Sequence, residues 1–368
     1  ILAGGKVNGR VGKTSFGAMT MHTRETAVGD YTLPASTMGV VRVKQNVLKE
    51  SSIGVIGTFG DPQSRGNAST VGTDFTYQTT RFRGDKNFIV GASVLHSNQA
   101  DLEGDQSAFA FKADYPNDLW DIALTYMRIG EAFDPALGFV PRKGIHSSRV
   151  GLTFAPRPSW KWLRQMRNQL YMTYITDLKG DWESYSIFTA PINWRLESGD
   201  RVEANFWPKG ERLVEPFEIA DEVVIPVGEY HFTRWRLEVE MAAKRKFNGQ
   251  LSWWFGTFYE GNLHELEASI NWNPAKILTF EFIGVRNIGR LPFGNFNQTL
   301  TGVRARLNVT PDLQINTFLQ YDTDTNTFGI NARIHWIYHP QGDIFLVFNH
   351  NTYNGMERWS LVNEQLLL

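Results

Sequence analysis

Apolar and polar residues alternate one for one through long stretches of this chain, and that pattern restricts the backbone more than any other feature. In 301–310, Thr301, Val303, Ala305, Leu307 and Val309 alternate with Gly302, Arg304, Arg306, Asn308 and Thr310. Successive side chains of an extended strand point to opposite faces, so one face is apolar and the other polar. Segment 234–243 repeats the pattern, with Trp235, Leu237, Val239, Met241 and Ala243 set against Arg234, Arg236, Glu238 and Glu240. In 266–273, Leu266, Ala268, Ile270 and Trp272 oppose Glu267, Ser269, Asn271 and Asn273, and segments 119–128 and 328–338 behave alike. Turn clusters punctuate these runs, among them Arg83-Gly84-Asp85, Pro116-Asn117-Asp118, Ser198-Gly199-Asp200, Asn248-Gly249 and Thr310-Pro311-Asp312.

The segments number about 20 at roughly 9 to 15 residues each, longer than the roughly 5 to 6 usual in soluble sheets. A tilted strand needs about 9 to 11 residues to cross a bilayer, with apolar side chains toward lipid and polar ones toward the lumen. The expected fold is therefore all-β: a transmembrane antiparallel β-barrel of about 20–22 strands, with residues 1–368 as a single outer-membrane domain. Of the 368 residues, 42% are hydrophobic, 13% aromatic and 20% charged, which excludes disorder and coiled coil. A net charge of -1 gives no electrostatic reason to bind nucleic acid. With no cysteine there is no disulfide framework, thiolate metal site or thiol nucleophile. No apolar run reaches the roughly 18 to 20 residues of a membrane-spanning helix.

Connections sort into two alternating classes. The short ones begin with Gly12-Lys13; the long ones cover 24–37, 60–69, 97–106, 129–146, 177–184, 208–230, 259–264 and 287–298. Short periplasmic turns and longer extracellular loops are the asymmetry of bacterial outer-membrane barrels. On that orientation segment 1–11 starts at the loop side and 358–368 ends at the turn side, an odd count near 21. Single-chain bacterial barrels are even, so one strand is expected to precede Ile1. The opening Ile1-Leu2-Ala3-Gly4-Gly5-Lys6 carries no leader and is expected to begin a mature chain or a piece of one. The ending Gln365-Leu366-Leu367-Leu368 lacks a terminal aromatic and is expected to be trimmed. Trp120, Trp160, Trp162, Trp194, Trp253, Trp254, Trp272 and Trp336 fall in strands or near their ends, where amphipathic rings favour the water–hydrocarbon boundary.

Three stretches carry a family resemblance: Gly4-Gly5-Lys6-Val7-Asn8-Gly9-Arg10-Val11-Gly12, the run 129–142 (IGEAFDPALGFVPR), and the run 336–348 (WIYHPQGDIFLVF). With them the chain resembles, over nearly its whole length, an uncharacterised outer-membrane β-barrel module of bacterial envelope proteins. In that family the module follows a domain similar to family 9 carbohydrate-binding modules. The resemblance implies a bacterial outer-membrane location and a soluble domain and strand ahead of Ile1. It supplies no catalytic residues.

Several apparent chemical motifs fail on spacing. Gly12-Lys13-Thr14 has Val7 where a phosphate loop needs glycine, and it sits in a hairpin with no following helix. Asp322-Thr323-Asp324-Thr325-Asn326 is followed by Thr327 where a calcium loop needs glycine. His264-Glu265 lacks the second histidine of a zinc motif. His146 beside Ser147 and Ser148 suggests a base and nucleophile, but neighbours on a strand point apart. No cofactor or metal is expected.

The polar face supplies the candidate lumen-lining residues: Arg42, Lys44, Asp74, Glu203, Arg234, Arg236, Glu238, Glu240, Glu267, Glu281, Arg304, Arg306, Arg333 and His335. Both signs occur, as cross-strand pairs or a water-filled interior require. Loops 129–146 and 208–230 are apolar enough to need a partner or to fold back, so one is expected to constrict the mouth or contact another envelope protein. The expected function is an outer-membrane pore or anchoring module for extracellular solutes, with glycans as a candidate class. The alternatives are a rim-site hydrolase and a receptor-like or structural subunit of an envelope complex. The expected partners are outer-membrane lipid and a glycan or other solute.

Overall fold

The computed structural model describes residues 1–28, 31–63, 67–99, 102–340, 342–355 and 358–367. Every regular element among them is a strand, and 22 strands join one large antiparallel sheet. Two compact units divide the chain.

The first unit holds Ile1–Phe154 and Leu170–Ile187. It begins with β1 (Ala3–Val11), β2 (Thr14–His22) and a small hairpin of β3 (Thr26–Val28) and β4 (Tyr31–Leu33). Then follow β5 (Thr37–Val47), β6 (Ser51–Phe59), β7 (Ala68–Phe82), β8 (Lys86–Gln99), β9 (Ser107–Pro116), β10 (Trp120–Ile129) and β11 (Ile145–Phe154). Each pairs antiparallel with the next, β2 passing directly to β5. The first hairpin turns at Gly12-Lys13, with Val11 opposite Thr14 and Gly12 at φ 59°, a backbone conformation that glycine adopts freely. The phosphate-like tripeptide is thus a two-residue turn.

Between β11 and the second unit's long strands come β12 (Leu163–Met166), β13 (Asn168–Asp177) and β14 (Trp182–Leu196). The second unit holds Ala155–Gln169 and Phe188–Leu368. It contains β15 (Arg201–Leu213), the hairpin β16 (Phe217–Ala220) and β17 (Val223–Ile225), then β18 (Gly228–Met241), β19 (Phe247–Phe258) and β20 (Gly261–Ala275). The chain continues with β21 (Leu278–Leu291), β22 (Gly294–Thr310), β23 (Leu313–Asp322), β24 (Thr327–His339), β25 (Gly342–Gly355) and β26 (Arg358–Leu367). From β18 to β26 every strand pairs with its successor, and β15 pairs with β18 across the hairpin.

Three expected long connections are corrected. Residues 259–264 contract to the turn Tyr259-Glu260, 287–298 to Pro292-Phe293, and 177–184 to the four residues 178–181. The strands run on through polar and glycine-containing sequence. Gly289 stays in the ladder because the ring of Phe296, on the adjoining strand, covers the space a side chain would fill. The loop asymmetry therefore fails at 177–184 and again beyond about residue 230. Residues 155–162 and β12 also lengthen a connection on the expected short-turn side.

The two sheet faces differ in the manner opposite to a soluble protein. On β18 in the second unit, Trp235, Leu237 and Val239 are 45%, 51% and 50% exposed, whereas Arg234 and Glu238 are each 4% exposed. In the first unit Val41, Val55, Val71, Val94 and Phe111 are exposed on successive strands. Leaving one such side chain in water forgoes about 1.5–3 kcal/mol of burial, so a face built of them calls for an apolar cover.

The buried apolar clusters sit at the loop ends. In the first unit Ala108, Ile129, Phe133 and Ile145 pack together, bringing loop 129–146 back onto β9, β10 and β11. In the second, Val223 and Ile225 of the β16–β17 hairpin pack on Tyr230, Phe232, Tyr259 and Leu291. Loop 208–230 is thus largely strand: β15 and β18 claim its ends and the hairpin folds back over them.

Candidate functional site

The polar face of β15 and β18 carries the densest set of charges. Register places Arg201 opposite Glu240, Glu203 opposite Glu238, Asn205 opposite Arg236 and Trp207 opposite Arg234. Two carboxylates facing each other repel, so Glu203 and Glu238 require bridging cations. Arg201 reaches both, donating to Glu203, to Glu238 at 2.5 Å and to Glu240 at 2.8 Å. Arg236 comes from the other side, 2.5 Å from Glu203 and 3.1 Å from Glu238, and donates to Asn205 Oδ1 at 2.6 Å. Gln250 Nε2 donates at 2.8 Å to Glu238 Oε2, the oxygen that also faces Arg236, and Asn205 Nδ2 donates to Glu203 at 2.9 Å. Glu203, Glu238 and Asn205 are buried. The lone pairs are met, so the network fastens three strands and leaves little charge for a ligand.

Toward the loop end of the same face, buried Arg234 donates to Glu265 at 2.7 Å and to the Leu263 carbonyl. Lys209 Nζ lies 4.3 Å from the Trp207 ring centroid and 5.6 Å from that of Phe232. Above it, Tyr259 donates to Glu211, and the β16–β17 hairpin closes over Tyr230 and Phe232. At the turn end, Arg245 pairs with Asp200 and holds its carboxyl well below the ordinary value of 3.8.

Further along the second unit the balance changes. Glu281 Oε2 accepts from both Arg304, at 3.0 Å, and Arg306. Arg333 lies on the same face, with Asn316 directly between it and Arg306, and it has no ion pair among the described residues. His335 pairs with Asp343 at 3.0 Å and stacks on Phe345 at 4.3 Å between centroids. Glu267 faces Ser252 and Val285 without an ion pair among the described residues. In the first unit, Arg42 and Asp74 meet at 2.5 Å, and Lys44 is exposed on their face. Of the fourteen residues expected on the polar face, nine thus belong to three linked sets: Arg42 with Asp74; Glu203, Arg236, Glu238 and Glu240; and Glu281, Arg304 and Arg306. Arg201, Asn205, Gln250 and Glu265 complete the geometry and were missed, although the two-residue period of each strand puts them in line with the others.

The tryptophans divide. Trp120 stacks near Phe154, at 4.4 Å between centroids, at the turn end of β10 and β11 in the first unit. In the second, Trp160 and Trp162 lie 5.6 Å apart in the 155–162 connection, Trp272 stands beside Phe280 next to a turn, and Trp336 pairs with Tyr338 near the end of β24. Trp254 departs from the boundary expectation: it is on the polar face, 5.0 Å beneath Arg236. His146 engages Tyr126 at 2.7 Å, while the Ser147 hydroxyl is buried on the opposite face without a hydrogen-bond partner among the described residues. In the calcium-like segment, the Asp324 amide donates to Asp322 Oδ1 at 2.9 Å and Asn326 sits at φ 50°, the geometry of a strand turn.

No family model matches the chain, and no curated protein matches it at a significant level.

Proposed function

We propose that the chain is a bacterial outer-membrane β-barrel whose apolar face meets lipid and whose polar face lines an aqueous interior, serving as a pore or anchoring module for extracellular solutes. The observation that carries this reading is the inverted exposure on β18, where Trp235, Leu237 and Val239 are exposed while Arg234 and Glu238 are buried. A soluble sheet would hide the former and wet the latter; a lipid-covered sheet does the reverse. Strands of 13 to 17 residues in β20, β21, β22 and β24 are long enough to cross the hydrocarbon at a tilt. Exposed Trp120, Trp160, Trp162, Trp272 and Trp336 at turn ends suit the interfacial region.

Closure of the sheet on itself belongs to this proposal, because an open sheet edge has no water to satisfy it within the bilayer. Reconstitution into planar bilayers, with conductance read with and without added oligosaccharides, tests the pore. Stepwise conductance that oligosaccharides reduce is the expected result; a silent bilayer from correctly folded protein overturns the pore in favour of anchoring.

A further inference from the structure

Charge on the second unit's polar face is balanced over β15 and β18 but not over β22 to β24. There, Glu281 pairs with both Arg304 and Arg306, and Arg333 beside them has no ion pair among the described residues. These side chains border an open recess of about 490 Å³, to which Gln314, Asn316 and Asn331 contribute amides. Phe318 forms part of its floor, with the Arg304 guanidinium 4.7 Å above the ring centroid. Asn331 is itself held, donating to Asn349 Oδ1 at 2.5 Å.

Register explains the arrangement. Arg306, Asn316 and Arg333 are direct cross-strand partners on three consecutive strands, so the two arginine Cα atoms stand about 10 Å apart, twice the ordinary strand spacing. An anionic oxygen group fits between two guanidinium forks at that separation, each fork presenting paired donors. The flanking amides both donate and accept, which suits hydroxyl groups.

We propose that this recess binds a small polyhydroxylated anion, its carboxylate or phosphate held between Arg306 and Arg333 and its hydroxyls by Gln314, Asn316 and Asn331. This deepens the reading above, resting on it insofar as the polar face must meet water and solute. Glu281 acts as an internal competitor: it occupies Arg304 and Arg306 when the recess is empty and limits the affinity.

Isothermal titration of the full chain in detergent micelles with galacturonate, glucose 6-phosphate, inorganic phosphate and glucose tests the proposal. Galacturonate or glucose 6-phosphate, or both, bind more tightly than glucose, and the tighter of the two identifies the anionic group. Arg333→Gln weakens that anion by about tenfold or more, the scale of one charge-assisted hydrogen bond, and Glu281→Gln tightens it. Lys179→Gln, in the turn between β13 and β14 and outside the lining of the recess, leaves it unchanged. Glucose binding as tightly as the anions, or Arg333→Gln matching Lys179→Gln, overturns the site. Inorganic phosphate equalling glucose 6-phosphate, with galacturonate no tighter than glucose, overturns the amide contacts. Binding retained by protein that is silent in bilayers refutes the pore alone; conductance without binding refutes the recess alone.

Discussion

Arg42 and Asp74 stand on strands separated by β6, and their side chains meet at 2.5 Å over Gly54, which is paired with Asp74 on one side and Lys44 on the other while Arg42 reaches across diagonally. A methyl group on Gly54 would overlap the guanidinium and come within 2.8 Å of the Asp74 carboxylate. Gly54→Ala is therefore expected to separate the pair. The cost is small, below about 1 kcal/mol, because both groups are partly exposed and arginine can swing aside. Urea unfolding of Gly54→Ala, Asp74→Asn and the double variant checks this: the double variant should be no less stable than the worse single one.

The Arg201 network behaves differently because its carboxylates are buried. Arg201→Gln leaves Glu203 and Glu238 facing each other with one bridging cation removed, and the expected loss is about 3–5 kcal/mol. Adding Glu238→Gln should recover part of it by removing the repulsion. Unfolding in lipid vesicles measures both, and equal stability of the single and double variants would contradict the account.

Asp200 gives the turn end a pH dependence. Its carboxyl is held low by Arg245, with help from the Ala242 amide and the Ser198 hydroxyl. A group whose folded value lies below its unfolded one stabilises the fold above the unfolded value of 3.8, and that contribution is lost as pH falls through the folded value. The unfolding midpoint should drop less steeply below pH 4 in Asp200→Asn than in the parent chain.

The β16–β17 hairpin is held by apolar packing in which Ile225 is fully buried. Ile225→Asp places a charge against Tyr230 and Phe232, and the hairpin should detach while the long strands persist. A glutamate-specific protease offers a direct reading, since Glu215, Glu218 and Glu222 lie in or beside the hairpin. Cleavage there should quicken at least several-fold, with the remaining fragment still migrating as folded protein.

Strand identity and facing were legible because they follow from a two-residue period that needs no partner to be read. Trp235, Leu237 and Val239 separate from Arg234, Arg236 and Glu238 on paper as they do in space. Connections were not. Tyr259 and Glu260 take φ 40° and 63°, a tight turn made by residues that do not advertise one, and Gly289 reads as a breaker until Phe296 covers it. The ion-pair groupings were half legible: period places Glu203 and Arg236 on one face, but only register reveals that Glu203 confronts Glu238 and that Arg201 must bridge them. The excess of arginine around Arg333 likewise emerged only when β22, β23 and β24 were set side by side.

Lipid cover over the apolar face is the central requirement of an outer-membrane barrel, and the absence of cysteine from the sequence makes it directly measurable with single spin labels. In reconstituted vesicles, labels at Leu237→Cys and Val239→Cys should collide with dissolved oxygen more than with a water-soluble nickel complex, and labels at Lys44→Cys and Arg333→Cys should show the reverse. Nickel-accessible labels at Leu237 and Val239, or oxygen-favouring labels at Lys44 and Arg333, would contradict it.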